Sequence, residues 1–587
     1  MIRISAFLVV VALALFPAAA AAAPDKGDVT NRLLAALYGD SGAIETDLTG
    51  DLRALYAGTG YQPIWWQKTG WSARAHDAIA VLDVSNWHGI NNTRYGADTL
   101  SQLMALPPES LSVEGVTYID LALSSAMLAY VGDQASGRAD PSATNWHSRI
   151  DAAVDPVDLL IDGLGARDFG AWLHSTAPLH GSYGALVVEF SELSYLAPLP
   201  WEDLERQGLI RAGEADARIP EIRDRLITLG DYRVPRPVNP VDQRLDARSE
   251  VYDDALVAAV EAFQRRHGLE DDGVIGPKTM TALNMSPAER MQTIAVNLER
   301  LRWLPDPSLF TGRHIVINVA GYQLTAYHDG EVALTMPVIV GKPRHKTPLL
   351  ADQIVNVKFA PTWTVPERIA RRELLPKIQQ DPTYLTDNNF RVFADWSANV
   401  EVDPASVDWM SYSTSYLPYM LRQEPGPSNA LGMIRFSLSN DLDIYLHDTG
   451  SRHLFTEAER SLSHGCVRVG SPVELADFVL DGLDKAWTPD EILTAMDAPR
   501  PHYQRLAEPI PVDLVYVTAW ADDDGRVHYR KDIYGYDQAL SEQLVAVDNN
   551  GHASLVSLME TLDGLEIEHF DTPDSPTITA ALTEVAN

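Results

Sequence analysis

The chain holds one cysteine in 587 residues, Cys466. One thiol cannot close an internal disulfide, and without a C-x-x-C pair a cysteine-based zinc ribbon is excluded. Basic residues are scarce too: 46 Lys+Arg stand against 81 Asp+Glu, a formal net charge of −35. So acidic a chain lacks the basic face that a phosphate backbone requires, which argues against nucleic acid as a partner. The excess charge itself reads as solubility and nothing more. Long apolar runs are missing except at the N-terminus, and no later run is expected to reach the ~18 residues of a membrane-spanning helix.

That N-terminus has the grammar of an export signal. Arg3 precedes an apolar stretch from Ala6 to Phe16, then Pro17 and the alanines Ala18 to Ala23. A basic start, a short apolar core and small residues at the cut site predict a cleaved signal peptide over 1–23 and a periplasmic product. An uncleaved inner-membrane anchor is the alternative. In an oxidising compartment an idle thiol is a liability, so the economical reading of Cys466 is a nucleophile.

A chain this long needs about two to four domains. Residues 24–235 read as a helical scaffold, with apolar residues at helical spacing from Tyr118 to Leu128 and an aromatic segment Tyr61 to Trp66. The run Val234-Pro235-Arg236-Pro237-Val238-Asn239-Pro240 reads as a linker. Over 250–286 an amphipathic helix stops at Gly268, a turn follows at Asp272-Gly273, and a new helix opens at Pro277. Met291 to Trp303 predicts one more helix. Strands follow at His314–Val319, Tyr322–Tyr327, Glu331–Val340, Ile354–Phe359, Met433–Leu438 and Asp443–His447, with a hairpin turn at Asp329-Gly330. This β-rich unit spans about 310–490 and is interrupted by a long insertion, about 364–430, that starts helical and is expected to be a lid. Residues 491–540 are expected to pack as strands on the rest. The stretch 541–587 has no assigned role, with a turn at Asp548 to His552, a helix from Leu555 to Leu562 and a disordered acidic end.

The chemistry gathers in two places. Leu442-Asp443-Ile444-Tyr445-Leu446-His447 alternates at period two, which puts Asp443, Tyr445 and His447 on one face and ends the strand on a histidine suited to general-base work. Cys466, nineteen positions on, lies in Ser463-His464-Gly465-Cys466-Val467-Arg468. Gly465 allows a sharp turn whose N–H groups could form an oxyanion hole, and Arg468 could hold a substrate carboxylate. One cysteine and two histidines fall short of a four-ligand zinc site, so no metal is expected.

These strings resemble the L,D-transpeptidases. The family's upstream histidine and [S/T]-H-G-C-h-[R/N] signature match His447 and Ser463 to Arg468. Its P-x-W-x-V-P string matches Pro361 to Pro366, including Trp363. Arg422 to Gly432, with Asn429, is similar to its R-Q-x-P-G-x-x-N-A-L-G string, and Val340-Gly341 with Thr347-Pro348 to its V-G…T-P string. Phe263 to Thr279 resembles a peptidoglycan-binding domain, which places the chain near the large, multidomain, YcbB-like subgroup. The resemblance implies a multidomain α+β fold: a helical N-terminal scaffold, a small three-helix peptidoglycan-binding domain, and a mainly-β catalytic domain with an inserted lid.

It also implies a reaction. Cys466 attacks the third-residue carbonyl of a donor tetrapeptide stem, D-alanine leaves, and an acceptor stem amine resolves the thioester into a 3→3 cross-link. His447 serves as base and acid, Gly465 as oxyanion donor, and His464 shapes the site. Ser463, Tyr445, Asn429, Trp363 and Arg468 are the expected substrate contacts. No cofactor is needed. Peptidoglycan stem peptides are the expected partners, with cell-wall synthesis enzymes beside them, and the chain is expected to be a monomer. Carbapenems are expected to acylate Cys466. Water or a lipoprotein lysine as acceptor gives a carboxypeptidase or an envelope anchor instead, and a non-catalytic murein-binding scaffold is the alternative from another class.

Overall fold

The structure is a computed structural model and describes residues 23–38, 49–68, 70–144, 146–147, 154–232, 249–482 and 487–563. The expected signal segment and the acidic end past 563 lie outside the described residues. Buried apolar side chains fall into five clusters, which follow the units of the chain.

The scaffold is built around helix α1 (Val113–Ser136). Ser112 caps it, its hydroxyl accepting from the Gly115 N–H at 3.0 Å. α1 is long and apolar enough to cross a membrane by length and composition, against the sequence expectation, yet 78% of that window is buried inside the scaffold. It therefore serves as a core helix. One buried acid explains the aromatic segment before it. The Asp120 carboxylate accepts the N–H groups of Ile64, Trp65 and Trp66 at 3.1, 2.9 and 3.1 Å and the Tyr56 hydroxyl at 2.6 Å. The short strands β1 (Trp66–Gln67) and β2 (Gly70–Trp71) follow as a hairpin, and β3 (Trp146–His147) reaches across to the catalytic sheet. Helix α2 (Gly181–Leu196) closes the scaffold side.

The small domain contains α3 (Asp254–Arg266) and α4 (Pro277–Asn284). Gln264 organises its signature string. Its amide donates to the Val274 carbonyl at 3.0 Å, Asp272 at 3.2 Å and Thr279 at 3.2 Å, while its oxygen accepts the Gly273 N–H at 2.9 Å. Gly268 sits at φ +64°, where the helix must stop. The expected boundaries need correction here. Leu204, Ile210, Ile219, Ile222 and Leu226 share a core with Tyr252, Phe263 and Leu283, so the unit begins well before 250. The proline-rich stretch over 233–248 lies outside the described residues, and it interrupts this domain instead of dividing two.

Helix α5 (Pro287–Trp303), started by a Ser286/Glu289 capping box, is the spine to which the other units attach. Its Glu299 and Arg302 are fully buried as an ion pair, with Arg138 of the scaffold on the same carboxylate. Charge this deep is tolerated because each member is paired and hydrogen-bonded.

The β-rich unit is a ladder of β4 (Arg313–Asn318), β5 (Gln323–His328), β6 (Glu331–Gly341), β7 (Leu349–Phe359), β12 (Ile434–Leu438), β13 (Tyr445–His447), β15 (Val467–Val469) and β16 (His502–Val515), with β14 (Ser461–Ser463) paired beside β6. The order is β12-β13-β15-β6-β5-β4-β16-β7, and β7 pairs back to β12, so the ladder closes. Ile315, Leu324, Val338, Val357, Phe436, Leu446 and Val467 fill the inside, as period-two alternation requires. The Asp329-Gly330 turn has φ +50° and +83°, as expected for a tight hairpin. β16 is integral to this closure, so the catalytic unit does not stop near 490. Helix α6 (Pro472–Leu480) packs on it.

The insertion has its own core around Val365, Leu375, Val392, Trp409 and Leu421. It carries a separate sheet of β8 (Trp363–Thr364), β9 (Phe390–Phe393), β10 (Glu401–Val402) and β11 (Met420–Gln423). Past β16, the hairpin of β17 (Ala519–Ala521) and β18 (Val527–Tyr529) packs between α2 and α5. The final helix, α7 (Tyr536–Asp563), runs through the expected turn at Asp548 to His552 and includes the expected helix from Leu555 to Leu562. A boundary at 540 would cut it. Leu540 and Leu544 belong to the catalytic core, while the Val547 carbonyl accepts from Arg94 of the scaffold at 2.8 Å, so α7 bridges the two.

Candidate active site

On the outer face of the barrel, β13 and β15 run parallel, with Leu446 opposite Val467 and His447 opposite Arg468. Leu446 and Val467 point into the core, so Tyr445, His447 and Arg468 take the other face. The expected alternation fails upstream of this strand. Asp443 has φ +56° and Leu442 is 56% exposed, so the strand proper starts at Tyr445. Cys466 stands one residue before β15, diagonal to His447, a relation that separates side-chain bases by roughly 7–8 Å.

His447 is 4% exposed. Its Nδ1–H donates to the Asp448 carbonyl at 2.6 Å, which fixes the tautomer and leaves Nε2 as the acceptor. Burial, with the Arg468 charge second, pushes its pKa down to about 3, only partly offset by the carbonyls of Asp448 and Leu431. The ring is therefore neutral at ordinary pH. Asp448 is itself held, accepting from the Met433 N–H at 3.0 Å and pairing with Arg452 at 2.8 Å.

The Cys466 thiol donates to the Asp443 carbonyl at 3.5 Å. Burial raises its pKa, against which the Tyr445 N–H, the Tyr445 hydroxyl and the Arg435 guanidinium favour the thiolate. Tyr445 stays protonated, since burial and the neighbouring sulfur push its pKa far up. The resting pair is thus a thiol and a neutral imidazole, with the thiol turned to Asp443.

The nucleophile loop is tied at several points. Ser463 Oγ donates to the Cys466 carbonyl at 2.6 Å and accepts the Gly465 N–H at 3.1 Å. Ser463, expected as a substrate contact, is 3% exposed and holds the loop instead. The Gly465 N–H is occupied by that bond, so as an oxyanion donor it would first have to exchange it. Gly465 itself has φ +121°, open only to glycine. His464 Nε2–H donates to the Glu373 carboxylate of the insertion at 2.6 Å, and its ring lies 5.0 Å from that of His345. Glu373 stands on a π-turn, Ala370–Leu374, a helix defect that re-aims side chains and often marks a site.

Two expected contacts sit in the insertion and at its hinge. Asn429 is 1% exposed, and its amide donates to the carbonyls of Pro361 and Glu424, both at 3.0 Å, which braces the hinge of the insertion. Trp363 lies in the lid sheet, its ring 6.4 Å from Phe390. Other residues arrive unannounced. Thr347 Oγ1 accepts the Gly341 N–H at 2.9 Å and donates to the Gly465 carbonyl at 2.7 Å. Behind it, the Tyr534 hydroxyl accepts the Thr347 N–H at 3.1 Å and donates to the Gly341 carbonyl at 2.7 Å. Gly341 is required there, because a Cβ would lie 2.0 Å from the His345 carbonyl. The V-G…T-P string could have suggested Thr347; nothing in sequence links Tyr534 to Cys466. Among the described residues no three His, Cys, Asp or Glu side chains converge as a metal site needs.

Residues 312–488, which hold both His447 and Cys466, match the model of the L,D-transpeptidase catalytic domain, YkuD. The chain carries an L,D-transpeptidase catalytic domain. Residues 50–189 match a scaffold domain and 216–283 a putative peptidoglycan binding domain, which agrees with the early start of the small domain. A Haemophilus influenzae protein named "Putative L,D-transpeptidase" is 39% identical over 250 residues, 43% of this chain and 49% of that protein. The chain thus spans about half the length of the curated relative it matches. Among solved structures, an L,D-transpeptidase of Xylanimonas cellulosilytica is 16% identical, covering 53% of this chain and 100% of that one, with a TM-score of 0.17. Mycobacterium tuberculosis L,D-transpeptidase 1 is 14% identical, covering 35% of this chain and 61% of that one, with a TM-score of 0.14. At such scores neither adds to the account of the site. The nucleophile loop of this domain is contacted by Glu373 of the insertion and, through Thr347, by Tyr534, which lies beyond the matched residues.

Proposed function

We propose that the chain is a peptidoglycan L,D-transpeptidase working through a Cys466 thioester. The observation that carries this is a buried, neutral His447, its Nδ1–H held by the Asp448 carbonyl, on the same barrel face as the chain's single thiol. As a donor stem binds, the thiol turns from Asp443 toward His447. Sulfur attacks the carbonyl of the third stem residue as the thiol proton passes to Nε2. The carbonyls of Asp448 and Leu431 favour the imidazolium so formed. That proton then goes to the amine of the terminal D-alanine as the C–N bond breaks, leaving the thioester. An acceptor amine enters, His447 takes its proton, and the thiol is released with a new 3→3 amide bond.

The insertion touches the loop through Glu373 and His464, and its closure over a bound donor would favour an amine acceptor over hydrolysis. Export to the periplasm, as residues 1–23 suggest, delivers the enzyme to this substrate. The thiol also opens the strained ring of a carbapenem, giving a stable acyl adduct. Purified protein incubated with tetrapeptide stems tests the reading. The expected products are cross-linked dimers and free D-alanine. Tripeptides with no dimers would make the chain a carboxypeptidase, and dimers formed by Cys466→Ala would remove the thioester route.

A further inference from the structure

The outer barrel face carries a row of cations that nothing within the described chain neutralises. By sheet register Arg468 lies opposite His447, His447 opposite Arg435, and Arg435 opposite Lys358. All four share the face away from the core, since Val467, Leu446, Phe436 and Val357 fill the inside. In a chain of net charge −35, Lys358, Arg435 and Arg468 have no ion pair among the described residues. The Nε atoms of Arg435 and Arg468 are buried without a hydrogen-bond partner. Arg435 rests over the Tyr445 ring at 4.8 Å and donates to Ser437 at 3.1 Å, and Lys358, 7% exposed, lies 5.0 Å from the Tyr503 ring. Burying cations without a counter-charge is costly, so such a row is built for an anion that arrives.

The order of the strands says which anion. Adjacent strands are about 4.8 Å apart, which puts Arg435 one spacing past His447, on the side away from Cys466, and Lys358 two. A scissile amide that spans Cys466 and His447 points its leaving residue toward Arg435. The carboxylate of a C-terminal residue is only three bonds from the carbonyl under attack. We propose that Arg435 and Lys358 form the subsite for the free carboxylate of the leaving residue, so that the enzyme selects donors with an unblocked C-terminus. This rests on the acyl-transfer reading above and adds the residues that enforce it. Guanidinium suits the role because its fork matches a carboxylate, and Arg435 also draws the thiol toward thiolate.

Alkylation of Cys466 in the full chain tests the subsite without needing turnover. Iodoacetate carries the carboxylate and iodoacetamide does not, so the ratio of their rates cancels changes in thiol acidity. Neutralising both cations (Arg435→Gln with Lys358→Met) is expected to lower that ratio about tenfold, and Arg435→Lys to retain most of it. A ratio that stays within about twofold of the wild type would overturn the subsite. Should the double variant not fold, the wild type suffices: N-acetyl-D-alanine slows alkylation and its carboxamide does not, whereas equal protection counts against the proposal. Donor tetrapeptides separate the two carboxylates of the substrate. Amidation at the C-terminus is expected to lower kcat/KM at least about tenfold, and a loss seen only on amidating the third residue's side chain would overturn the assignment. An intact alkylation ratio with no cross-linking would sink the transpeptidase reading and leave the anion site standing.

Discussion

Two buried histidines separate a structural role from a catalytic one. His267, at the joint of the small domain and the β17–β18 hairpin, is buried and its pKa is pushed well down by desolvation. His447 shares both properties, and each ring holds a backbone carbonyl through Nδ1, Phe263 at 2.8 Å and Asp448 at 2.6 Å. They differ in their surroundings. His267 Nε2 accepts from Arg290 at 2.8 Å, and its ring is stacked on Phe263 at 3.9 Å and near Tyr529 at 5.4 Å. His447 instead stands on β13, beside the strand that the thiol leads into. The neighbouring cations follow the same division. Arg266 is paired with Asp231 at 2.6 Å, while Arg435 and Arg468 have no counter-charge among the described residues. Burial and a shifted pKa are therefore common to both sites, and the neighbouring thiol and unpaired cations mark the functional one.

The largest test of that contrast exchanges the histidines. His447→Gln is expected to slow acylation of Cys466 by about a thousandfold with little loss of stability, because a positioned general base is worth about 10²–10⁴. His267→Ala is expected to do the opposite: about 2 kcal/mol of stability lost through the vacated stack and the orphaned Arg290, with the folded protein acylated normally. Stopped-flow acylation and chemical denaturation read the two effects. Equal kinetic losses in both variants would erase the distinction.

A smaller effect is expected behind the nucleophile. Tyr534→Phe removes the hydroxyl that holds both Gly341 and Thr347, and should slow acylation about tenfold while denaturation shifts by about 1–2 kcal/mol. Thr347→Val should match it, and the double variant should lose less than the sum, since both act through the Gly465 carbonyl. Additive losses would mean that Tyr534 acts elsewhere. Glu373→Gln weakens the seat of the lid on His464 and is expected to raise KM for the donor a few-fold with kcat nearly kept.

The smallest effect is a pH shift with a definite sign. Burial raises the Cys466 pKa above its ordinary 9.0, so the iodoacetamide rate should still be climbing at pH 9. Arg435 favours the thiolate, so Arg435→Gln should move the midpoint further up. His447 is neutral down to about pH 3 and carries no charge to help the thiolate, so His447→Gln should leave the midpoint in place. A plateau near neutral pH would instead indicate a thiolate–imidazolium pair at rest.

What could be read from sequence was whatever is written in contiguous strings. The Ser463 to Arg468 loop, His447 at a strand end, the Gln264-centred small domain and the insertion with its own fold all carry local signals of spacing, glycine placement and periodicity. The lid residue Asn429 was recognisable as a motif position but not as a hinge brace, because only the fold shows that its amide is spent on backbone carbonyls. Lys358, Arg435, Glu373 and Tyr534 carry no such signal. Each is a common residue type in an unremarkable stretch and acquires meaning only when strand register, a helix defect or a chain crossing brings it to the His447 face or the nucleophile loop. The small domain's early start was hidden because Leu204 to Leu226 and Tyr252 to Leu283 meet across a proline-rich stretch that looks like a linker.

The central claim is that Cys466 forms a thioester whose making depends on His447. Intact-mass analysis of the full chain, quenched in acid within the first turnover on a tetrapeptide donor and followed by peptide mapping, tests it most directly. The account predicts a tripeptide-stem adduct on Cys466 at full occupancy in the wild type and only a trace in His447→Gln over the same interval. An adduct on any other residue, or equal rates of formation in the two proteins, would contradict it.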